Sequence, residues 1–486
     1  MNNSEIENKA IRAIKWSVLT EFLSKLISPI TTIVLARLLT PDAFGVVATI
    51  TMIVSFAEIF TDAGFQKYLI QHDFKYDYDK ECSINVAFWS NLTMSLVIWL
   101  LIIYFSDNLS SAVGIPGLGH LIIIACVSIP LAAFSSIQMA LYKRDFDFKT
   151  LFKVRLIGVF IPIVVTIPLA IITKSYWALI IGTIAKDLCN AIILTYYSKW
   201  KPKLYFDFDR LKEMLSFTVW TVFESLSIWV VAYADVFIVS KVLDSYYLGL
   251  YKTSMTTVMQ ITTLITASII PILFSTLSRN QSDDKKFASS FLSYQHLLAL
   301  LMLPIGIGLF LYSDLITLFF LGDQWLEAAD FIGIFGLTLS LQVVFSYTCS
   351  EAYRAKGKPR ISLFVQLLYL CFFIPMLIRA AKDSFSALYI CRSSMNILLI
   401  IINVIVLYFV VKIPFSMMLR RVFPILIASL GMFIIGFSIN SILPDNIISY
   451  LFSGLLALTA YLLVLFIFPS ERNFLLKYIK KSHSYK

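Results

Sequence analysis

Two stretches of the sequence, LARLLTPDAFGVVATI at residues 35–50 and VSKVLDSYYLGLYKTS at residues 239–254, follow one pattern 204 positions apart. The alignment needs no gap, and each stretch follows a long apolar segment, the first and the seventh of the chain. The matched pairs are Arg37 with Lys241, Leu39 with Leu243 and Gly45 with Gly249. The repetition predicts that the second half of the chain repeats the fold of the first half.

A second, weaker match supports the same duplication. ALYKRDF at residues 140–146 pairs with AYRAKGK at residues 352–358, and each closes an even-numbered apolar segment. Gene duplication alone can produce an internal repeat. The repeat therefore predicts the architecture and does not by itself establish transport.

The composition is that of a membrane protein. Of 486 residues, 59% are hydrophobic and 14% are charged, and the chain has 40 Phe and 24 Tyr. Soluble domains have about 25% charged residues. This amount of apolar side chain exceeds what one soluble core can bury, so the excess must face lipid. Runs of roughly 20 apolar residues are long enough for a helix to cross a bilayer. They do not fit barrel strands, in which apolar and polar residues alternate over about ten residues.

The apolar runs predict an all-α integral membrane protein with about fourteen transmembrane helices. The predicted spans are 11–37, 43–62, 82–106, 117–140, 151–173, 176–198, 214–240, 247–277, 289–312, 328–350, 361–381, 384–411, 417–440 and 446–468. Residues 313–327 are predicted to form a short interfacial piece before the tenth span.

The basic residues orient these spans. If the amino terminus is cytoplasmic, the cytoplasmic loops and both termini contain about 30 of the 40 Lys and Arg, and the opposite loops contain about 5. One missed span would invert every later loop and remove this bias. The net charge of +10 therefore reflects membrane orientation, with both termini cytoplasmic, and not a nucleic-acid interface. The polar amino terminus lacks the apolar core of a signal peptide, so we expect the first span to be retained.

An even number of spans in each repeat places both copies the same way up in the membrane. We therefore predict a six-helix lobe at 1–204, a second at 205–411, and two extra helices with a basic cytoplasmic tail at 412–486. The lobes should be related by a pseudo-twofold axis along the membrane normal, as in parallel-repeat transporters that work by alternating access. The linker at 199–213, KWKPKLYFDFDRLKE, is predicted to be an amphipathic helix on the cytoplasmic surface.

Motifs for catalysis and metal binding are missing from the sequence. The six cysteines lack metal-ligand spacing, the four histidines form no cluster, and no Walker A phosphate loop occurs. We therefore expect no metal, no cofactor and no enzymatic activity. Three loops contain Asp-x-Asp, which holds a nucleotide-sugar metal in glycosyltransferases: KYDYDK (75–80), KRDFDFK (143–149) and YFDFDR (205–210). These loops are too short to form a nucleotide-sugar-binding fold. We therefore interpret their aromatic residues as lying at the membrane interface and their charged residues as lying in water.

Three segments carry a family resemblance: LARLLTPDAFGVVATITMIVSFAEIFTDAGFQKYLIQ (35–71), ALYKRDFDFKTLFKVRL (140–156) and YADVFIVSKVLDSYYLGLYKTSMT (233–256). They resemble the first-to-second, fourth-to-fifth and seventh-to-eighth helix signatures of one branch of the multidrug/oligosaccharidyl-lipid/polysaccharide flippase superfamily. That branch is the polysaccharide exporters. The resemblance covers the whole chain, and the predicted count of fourteen helices agrees with it.

The resemblance implies a Wzx-like flippase in the bacterial inner membrane. Such a protein moves an undecaprenyl-diphosphate-linked oligosaccharide from the cytoplasmic to the periplasmic leaflet, for O-antigen (lipopolysaccharide), capsule or exopolysaccharide synthesis. A glycan polymerase and chain-length machinery would then use the product. The membrane potential or a gradient of H⁺ or Na⁺ would drive the step, and both drives stay open. Two other functions also stay open: an ion-coupled multidrug exporter of the same superfamily, and a membrane-embedded glycan polymerase, which usually needs a larger loop than any here.

Ionisable residues inside spans are expensive, so they either face a wet cavity or pair with one another. The predicted substrate-binding residues are Lys25, Lys252, Arg392, Lys186 and Arg155. In the family the first and eighth helices line the cavity between the lobes, so Lys25 and Lys252 are expected to hold the diphosphate, with Arg392 as a third candidate. Glu21 lies one helical turn before Lys25, on the same face, and can pair with it.

The acidic residues of the spans are predicted to couple ions or to tie helices together. They are Glu21, Glu58, Asp62, Asp187, Glu224 and Asp235. Asp235 falls on the seventh-helix Asp of the family pattern D-x-x-x-V-x-x-x-L. Ion coupling and a structural role, bonding neighbouring backbone or a cation of the eighth helix, are both open for it. Arg37 and Lys241, at equivalent helix ends, are expected to be structural.

Overall fold

A computed structural model describes residues 3–74, 76–444 and 446–473. Within those ranges the chain is helical and has no strand, as predicted. The α-helices are α1 (Asn3–Leu38), α2 (Pro41–Gln71), α3 (Asp77–Tyr104), α4 (Ser106–Ala112), α5 (Gly119–Ala125), α6 (Ser128–Arg144), α7 (Phe148–Ile161), α8 (Ile167–Thr173), α9 (Trp177–Tyr197), α10 (Phe208–Val242), α11 (Ser245–Arg279), α12 (Asp284–Leu311), α13 (Ser313–Phe320), α14 (Ala329–Gln342), α15 (Thr348–Ala355), α16 (Pro359–Asp383), α17 (Phe385–Val411), α18 (Phe415–Ile442) and α19 (Ile447–Ile467). Short π-helical segments at Pro162–Thr166 and Val343–Tyr347 and a 3-10 helix at Asp323–Ala328 join neighbouring helices.

Thirteen stretches of the described residues are long and apolar enough to cross a bilayer, so the protein is a multi-pass membrane protein. They run from Pro41–Thr61 to Ile447–Ile467 and correspond one to one with the predicted second to fourteenth spans. The first predicted span, 11–37, falls within α1 and stays a prediction. The predicted short piece at 313–327 contains helix α13.

Large apolar side chains remain exposed around these helices. Ile172, Phe409 and Ile448 are 78%, 75% and 79% exposed. An apolar surface of this kind would favour aggregation in water. In a bilayer, lipid tails cover it, and the apolar side chains have no hydrogen bonds to lose. These residues therefore mark lipid-facing sides of α8, α17 and α19.

The linker between the sixth and seventh spans differs from its prediction. Residues 198–207 are not helical, and α10 starts at the next residue and continues unbroken through the seventh span. Asp207 caps this helix, because its Oδ1 accepts hydrogen bonds from the backbone N–H groups of Asp209 (2.9 Å) and Arg210 (3.4 Å). No Gly or Pro follows that would end the helix. The predicted separate surface helix at 199–213 is therefore wrong, since its second half forms the first turns of a transmembrane helix.

The stretch that repeats in the sequence starts a helix in each copy. Thr40 caps α2 with Pro41 in the first turn, and its Oγ1 accepts from the N–H of Ala43 at 3.4 Å. Asp244, 204 residues later, has the same role at α11, where its Oδ1 accepts from the N–H of Tyr247 at 3.0 Å. Each cap satisfies an N–H group that has no partner within its own helix. The two copies of the pattern therefore share a local structural function.

Two glycines of the repeat meet in a reciprocal contact. A Cβ on Gly45 would stand 1.7 Å from the carbonyl oxygen of Ser245, and a Cβ on Gly249 would stand 1.8 Å from the carbonyl oxygen of Pro41. The contact thus repeats with the two copies exchanged, as a two-fold relation requires. Only glycine lets the backbones approach this closely. The match between these two stretches is confirmed, and the arrangement of whole lobes stays a prediction.

The chain divides within α11 into two compact units, residues 1–252 and 253–486. In the first unit α2 packs on α6 and α10, and α1 and α9 pack on α7. In the second unit α12 packs on α14 and α18, and α17 packs on α14 and α16. The predicted boundaries at 204 and 411 stay predictions.

The ends of α6 and α15 share one hydrogen-bond pattern. At the end of α6, the N–H groups of residues 145–147 donate to carbonyl oxygens of residues 141–143. At the end of α15, the N–H groups of residues 356–358 donate to carbonyl oxygens of residues 352–354 in the same order. The two helix ends are therefore structural equivalents, which supports the duplication.

The left-handed residues at these two ends are Phe146 (φ 58°) and Gly357 (φ 71°). Aligning them gives a spacing of 211, so the sequence match of 140–146 with 352–358 is wrong by one residue. Glycine adopts this conformation freely, whereas it costs a phenylalanine roughly 1 kcal/mol. Because Phe146 occupies a position where glycine is usual, aligning the two segments by residue type does not give the register that their structures show.

A cation near each of these ends fastens a neighbouring loop. In the first unit, the guanidinium of Arg144 donates to the carbonyl of His72 (2.7 Å) and lies 4.8 Å from the ring centroid of Phe74. In the second unit, the ammonium of Lys356 donates to the carboxylate at the start of α12 (2.7 Å) and lies 4.6 Å from the ring centroid of Phe287. Both contacts combine a charged hydrogen bond with a cation–π interaction.

In the second unit, α19 and the segment that follows it are tied to α12. Tyr461 on α19 donates to the carbonyl of Leu300 at 2.8 Å. The imidazole of His296 lies 2.7 Å from the carboxylate of Glu471, and these side chains are only 1% and 2% exposed. Burial alone would raise the pKa of Glu471, but its hydrogen bond with His296 holds that pKa below the ordinary value.

We predict that Gly45→Ala and Gly249→Ala each destabilise the protein, because the added methyl group collides with backbone. The free energy of unfolding should fall by about 1–3 kcal/mol for each variant. Gly308→Ala is the matched control, since a Cβ there meets nothing within 4 Å and alanine favours a helix. Thermal unfolding in detergent measures the difference. Equal melting temperatures for Gly45→Ala and Gly308→Ala would contradict the reciprocal contact.

Glu471 should make stability depend on pH. Because its folded pKa is below the ordinary 4.5, its carboxylate stabilises the fold above about pH 4.5, and this contribution is lost as the pH falls through the folded pKa. Glu471→Gln should therefore lower the melting temperature at neutral pH and lower it less in acid. Melting curves recorded from about pH 3 to 7 test this, and a difference that does not change with pH would sink the assignment.

Candidate functional site

A cavity of about 720 Å³ lies inside the first unit, between α1, α7 and α9. Most of the lining area is apolar, and hydroxyl groups and basic side chains supply much of the polar remainder: Thr31, Thr32, Thr183, Lys143, Arg155 and Lys186. We call it the cationic cavity. Its volume falls in the range of about 300–1,000 Å³ that is typical of small-molecule sites.

Helical spacing explains why these polar groups converge. On α9, Thr183, Lys186 and Asn190 stand three and four residues apart, so they share one face. On α1, Ser28 and Thr32 stand one turn apart and also line the cavity. Because α7 packs against both α1 and α9, the polar faces meet around one space.

Three helices each bring one cation to this cavity. Lys143 comes from the end of α6, Arg155 from α7 and Lys186 from α9. The ammonium of Lys143 donates to Oε1 of Gln66 at 3.4 Å, and that of Lys186 lies 3.5 Å from Oδ1 of Asp187. A lysine ammonium has three donor positions, so these contacts leave each lysine able to donate to an anion as well.

Small residues and a π-helical segment shape the space. Pro162, which begins the π-helix, has no N–H to donate to the carbonyl of Gly158 one turn earlier. A Cβ on Gly158 would stand 3.4 Å from Oδ1 of Asn190, and one on Gly182 would stand 1.9 Å from Oγ1 of Thr166. The helices α7–α8 and α9 therefore approach closely at Gly182, and Gly158 leaves room within the cavity.

The cavity brings together two of the five predicted basic site residues, Arg155 and Lys186. Lys25 on α1 and Lys252 on α11 are both half-buried, and neither belongs to the cavity lining among the described residues. The ammonium of Lys252 lies 5.6 Å from the ring centroid of Tyr233. The diphosphate-holding role of the two lysines stays a prediction.

Arg392 is built into the packing of the second unit. Its guanidinium lies 5.0 and 5.4 Å from the ring centroids of Phe335 and Phe373, and it donates to Oδ1 of Asn396 at 3.0 Å. Asn396 in turn donates to Oγ1 of Thr338 at 3.1 Å. These contacts join α14, α16 and α17, so the geometry favours a packing role beside the predicted substrate role.

Asp235 is buried, with 6% of the residue exposed. Its Oδ1 accepts a hydrogen bond from the N–H of Val236 at 2.8 Å, and its Oδ2 accepts one from the hydroxyl of Tyr251 at 3.1 Å. The side chain thus bonds neighbouring backbone and reaches a tyrosine of α11, and both roles considered for it stay predictions.

Other charges of the spans join neighbouring helices. Glu224 on α10 accepts a hydrogen bond from the ammonium of Lys67 on α2 at 2.9 Å, and both side chains are too exposed for this pair to contribute much stability. Lys241 donates to the carbonyl of Ser111 at 3.0 Å, which fits its expected structural role. Glu58 is half-buried on α2. The predicted residues whose side chains lie outside the described part are Glu21 and Asp62.

Lys143 and the hydroxyl residues of the cavity are not among the site residues predicted from the sequence. Lys143 stands at a helix end, where a lysine is expected for topology alone, and only the packing of α6 shows that it reaches the cavity. A sequence signal did exist on α9, because Thr183, Lys186 and Asn190 form a polar stripe at helical spacing in an otherwise apolar span.

The lining can bind but offers little for covalent chemistry. The ammonium and guanidinium groups attract an anion, and the hydroxyl and amide groups can exchange hydrogen bonds with a polyhydroxyl compound. Among the residues that the structure describes, no three His, Cys, Asp or Glu side chains are grouped so that they could hold a metal ion.

Comparisons of the sequence with known proteins agree with this fold. The profile of a family described as "Polysaccharide biosynthesis protein" matches residues 34–330. An "Uncharacterized membrane protein in cps region" of Klebsiella pneumoniae is 23% identical over 376 residues, which are 76% of this chain and 76% of that protein. The "Succinoglycan biosynthesis transport protein ExoT" of Rhizobium meliloti is 22% identical over 329 residues, which are 67% of this chain and 65% of that protein.

Solved structures share the fold at low sequence identity. The lipid II flippase MurJ, in an inward closed conformation, has a TM-score of 0.74 and 16% identity, over 93% of this chain and 98% of that one. An inward-facing MATE multidrug resistance transporter of the MOP superfamily has a TM-score of 0.61 and 12% identity, over 82% and 98%. The predicted all-α membrane fold is therefore confirmed, and these two transporters share it.

We expect inorganic pyrophosphate to bind to the cationic cavity of the purified protein. Arg155→Gln and Lys186→Gln should each weaken binding about tenfold, because each removes a charge-assisted hydrogen bond. Lys153→Gln is the matched control, since Lys153 lies two residues before Arg155 on α7, is exposed, and does not line the cavity. Titration calorimetry at low salt measures the affinities. An equal loss in Lys153→Gln would show that only general surface charge matters.

Proposed function

The chain belongs to the polysaccharide biosynthesis protein family, and from that premise we propose that it is a flippase for a lipid-linked oligosaccharide. It would carry an undecaprenyl-diphosphate-linked glycan from the cytoplasmic to the periplasmic leaflet of the bacterial inner membrane, by alternating access. The transport name of one relative and the fold shared with a lipid II flippase support a transporter rather than an enzyme.

The physical problem of this reaction lies in the head group of the substrate. A diphosphate and a chain of sugar hydroxyls cannot enter hydrocarbon, because each polar group would lose its hydrogen bonds to water and each charge would lose its solvation. The polyprenyl tail has no such difficulty and can stay in the bilayer. A flippase therefore needs a polar, positively charged interior for the head group alone.

The observation that carries the proposal is the cationic cavity. Lys143, Arg155 and Lys186 converge from three helices, and hydroxyls of α1 and α9 complete the lining. Lysine acts as a point charge toward phosphate, whereas arginine can form paired hydrogen bonds with it. The hydroxyl and amide groups suit the sugar that follows the diphosphate.

Lys25 and Lys252 remain proposed contacts for the diphosphate at another stage of the cycle. Both are half-buried on the helices that line the central cavity in the family. Arg392 remains a third candidate, although its stacking between two phenylalanine rings would have to open before it could reach a substrate.

The energy source for transport depends on how much net charge the head group carries across the membrane. The cytoplasm is electrically negative, so outward movement of one negative charge gains about 2.3 kcal/mol per 100 mV. If the cavity cations move with the diphosphate and neutralise it, less charge crosses the membrane. A gradient of H⁺ or Na⁺ would then have to contribute, with Asp235 or Glu58 as coupling groups.

A multidrug exporter is the second candidate within transport, because a MATE transporter shares the fold. The cations of the cavity count against it, since they would repel cationic drugs. A glycan polymerase would need a large catalytic loop, and the connections between the spans of the described chain are short. We propose a polymerase and chain-length machinery only as partners that act on the flipped glycan.

The function is tested in a strain that lacks this gene and makes the glycan. Lipid-linked glycan should accumulate on the cytoplasmic leaflet, and the wild-type gene should restore its passage. Arg155→Gln combined with Lys186→Gln should reduce the restored surface glycan at least about tenfold at equal protein level, since two charged contacts are lost. The double variant Lys149→Gln with Lys212→Gln, exposed on α7 and α10 and outside both cavities, is the matched control.

Two results would count against parts of the proposal. If the deletion leaves no lipid-linked glycan on the cytoplasmic side, the protein is not its flippase. If Lys25→Ala and Lys252→Ala both restore full passage, those two lysines do not hold the diphosphate, and the flippase function itself stands.

A further inference from the structure

A second cavity of the first unit, of about 850 Å³, lies where the ends of α6 and α9 meet the starts of α3 and α7. Four aromatic side chains line it: Tyr142, Phe146, Tyr197 and Trp200. We call it the aromatic pocket. The loops around it are among those that the basic-residue count predicts to be cytoplasmic. The pocket therefore faces the side on which a lipid-linked glycan would be loaded.

Two buried polar atoms at this pocket have no hydrogen-bond partner among the described residues. They are the hydroxyl oxygen of Tyr142 and the indole Nε1 of Trp200. Buried polar groups in proteins are nearly always paired, so these two groups have hydrogen-bonding capacity left for a water or a ligand. A tyrosine hydroxyl both donates and accepts, and an indole N–H only donates. A ligand hydroxyl can satisfy each group once its side chain turns toward the pocket.

Phe146 supplies an independent observation. It holds a left-handed backbone (φ 58°) where the equivalent helix end of the second unit has Gly357, and its residue is 47% exposed. A bulky residue in this conformation is strained, and such strain persists mainly at functional sites. The fold gains little from a half-exposed ring, and the second unit makes the same turn with glycine. A ligand that stacks on the ring would explain why a phenylalanine stands there.

The charges of the pocket distinguish it from the cationic cavity. Its acidic residues are Asp77, Glu81, Asp145 and Asp147, and its basic residues are Lys80, Arg144 and Lys199. Arg144 is committed to the carbonyl of His72 and the ring of Phe74. An almost balanced, slightly acidic lining does not attract a phosphate. Asp145 pairs with Lys80 at 3.8 Å and Glu81 with Lys203 at 2.6 Å, and the remaining lone pairs of these carboxylates can accept from hydroxyl groups. Aromatic faces stack on the apolar face of a pyranose ring.

We propose that the aromatic pocket binds uncharged sugar residues of the glycan on the cytoplasmic side. This inference rests on the proposed function and adds a second subsite to it. The two cavities are neighbours around the corner between α6 and α7: Lys143 and Leu151 line the cationic cavity, while the adjacent Arg144 and Thr150 line the aromatic pocket. A diphosphate in the first cavity therefore leaves the attached sugars close to the second. The pocket lets the protein recognise the glycan as well as its phosphate.

The test uses purified full-length protein and a phosphate-free oligosaccharide released by mild acid from the lipid-linked precursor of the host. Binding is measured by titration calorimetry. Tyr142→Phe, Trp200→Phe and Phe146→Gly should each weaken oligosaccharide binding about three- to tenfold. Tyr142→Phe and Phe146→Gly should leave the melting temperature unchanged, because the first removes an unpaired hydroxyl and the second relieves a left-handed phenylalanine. Trp200→Phe should lower it somewhat, because Trp200 packs against the buried cluster around Phe88, so the thermal criterion applies to the first two variants. Tyr196→Phe is the matched control, since Tyr196 is 77% exposed and lies outside the pocket.

The outcomes separate this inference from the proposed function. Wild-type protein that binds pyrophosphate but no oligosaccharide, or variants that bind it as wild type does, would overturn the sugar subsite and leave the flippase standing. Loss of oligosaccharide binding only together with a lower melting temperature would assign these residues to folding instead, which also overturns the subsite. Failure of the wild-type gene to restore glycan passage in the deletion strain would remove the proposed function itself.

Discussion

The hydrocarbon interior of a bilayer offers no hydrogen-bond partner, and this constraint governs the structure described here. Every backbone group that crosses must be satisfied within its own segment, so the described chain is built of helices. Apolar side chains have no preference between lipid and protein, so close backbone contact has to hold helices together. The reciprocal approach at Gly45 and Gly249 is such a contact, and it exists because both copies of the repeat place a glycine there.

The same constraint sorts the charges of the spans into two groups. Arg392 lies between two rings, and Asp235 accepts from a tyrosine and a backbone N–H, so each is held by its own unit. Lys143, Arg155 and Lys186 instead line one cavity, where Lys186 also pairs with Asp187 and Lys143 donates to Gln66. Three cations around one space suit a site that binds phosphate. A neighbouring pocket of aromatic rings and carboxylates would then suit the uncharged remainder of such a ligand.

Sequence patterns predict the structure well where a residue type has one common structural role. The predicted spans 43–62 and 247–277 begin three residues after Thr40 and Asp244, which cap the corresponding helices. The errors arose where a local signal was ambiguous. The linker at 199–213 looked amphipathic, and Asp207 instead starts a helix that runs straight into the membrane. The left-handed Phe146 stood where glycine is the usual sign, so the second repeat was aligned one residue out of register.

The sequence by itself determined that this is a multi-pass helical protein with a duplicated pattern, because apolar length and the spacing of caps and glycines are properties of neighbouring residues. It also named Arg155 and Lys186, since a charge inside a span is visible in the letters alone. Only the tertiary structure decided that these two share a cavity with Lys143, and that Arg392 is enclosed by aromatic rings. Such pairings depend on the rotation of each helix about its axis and on the packing of helices distant in sequence, and no local pattern encodes either.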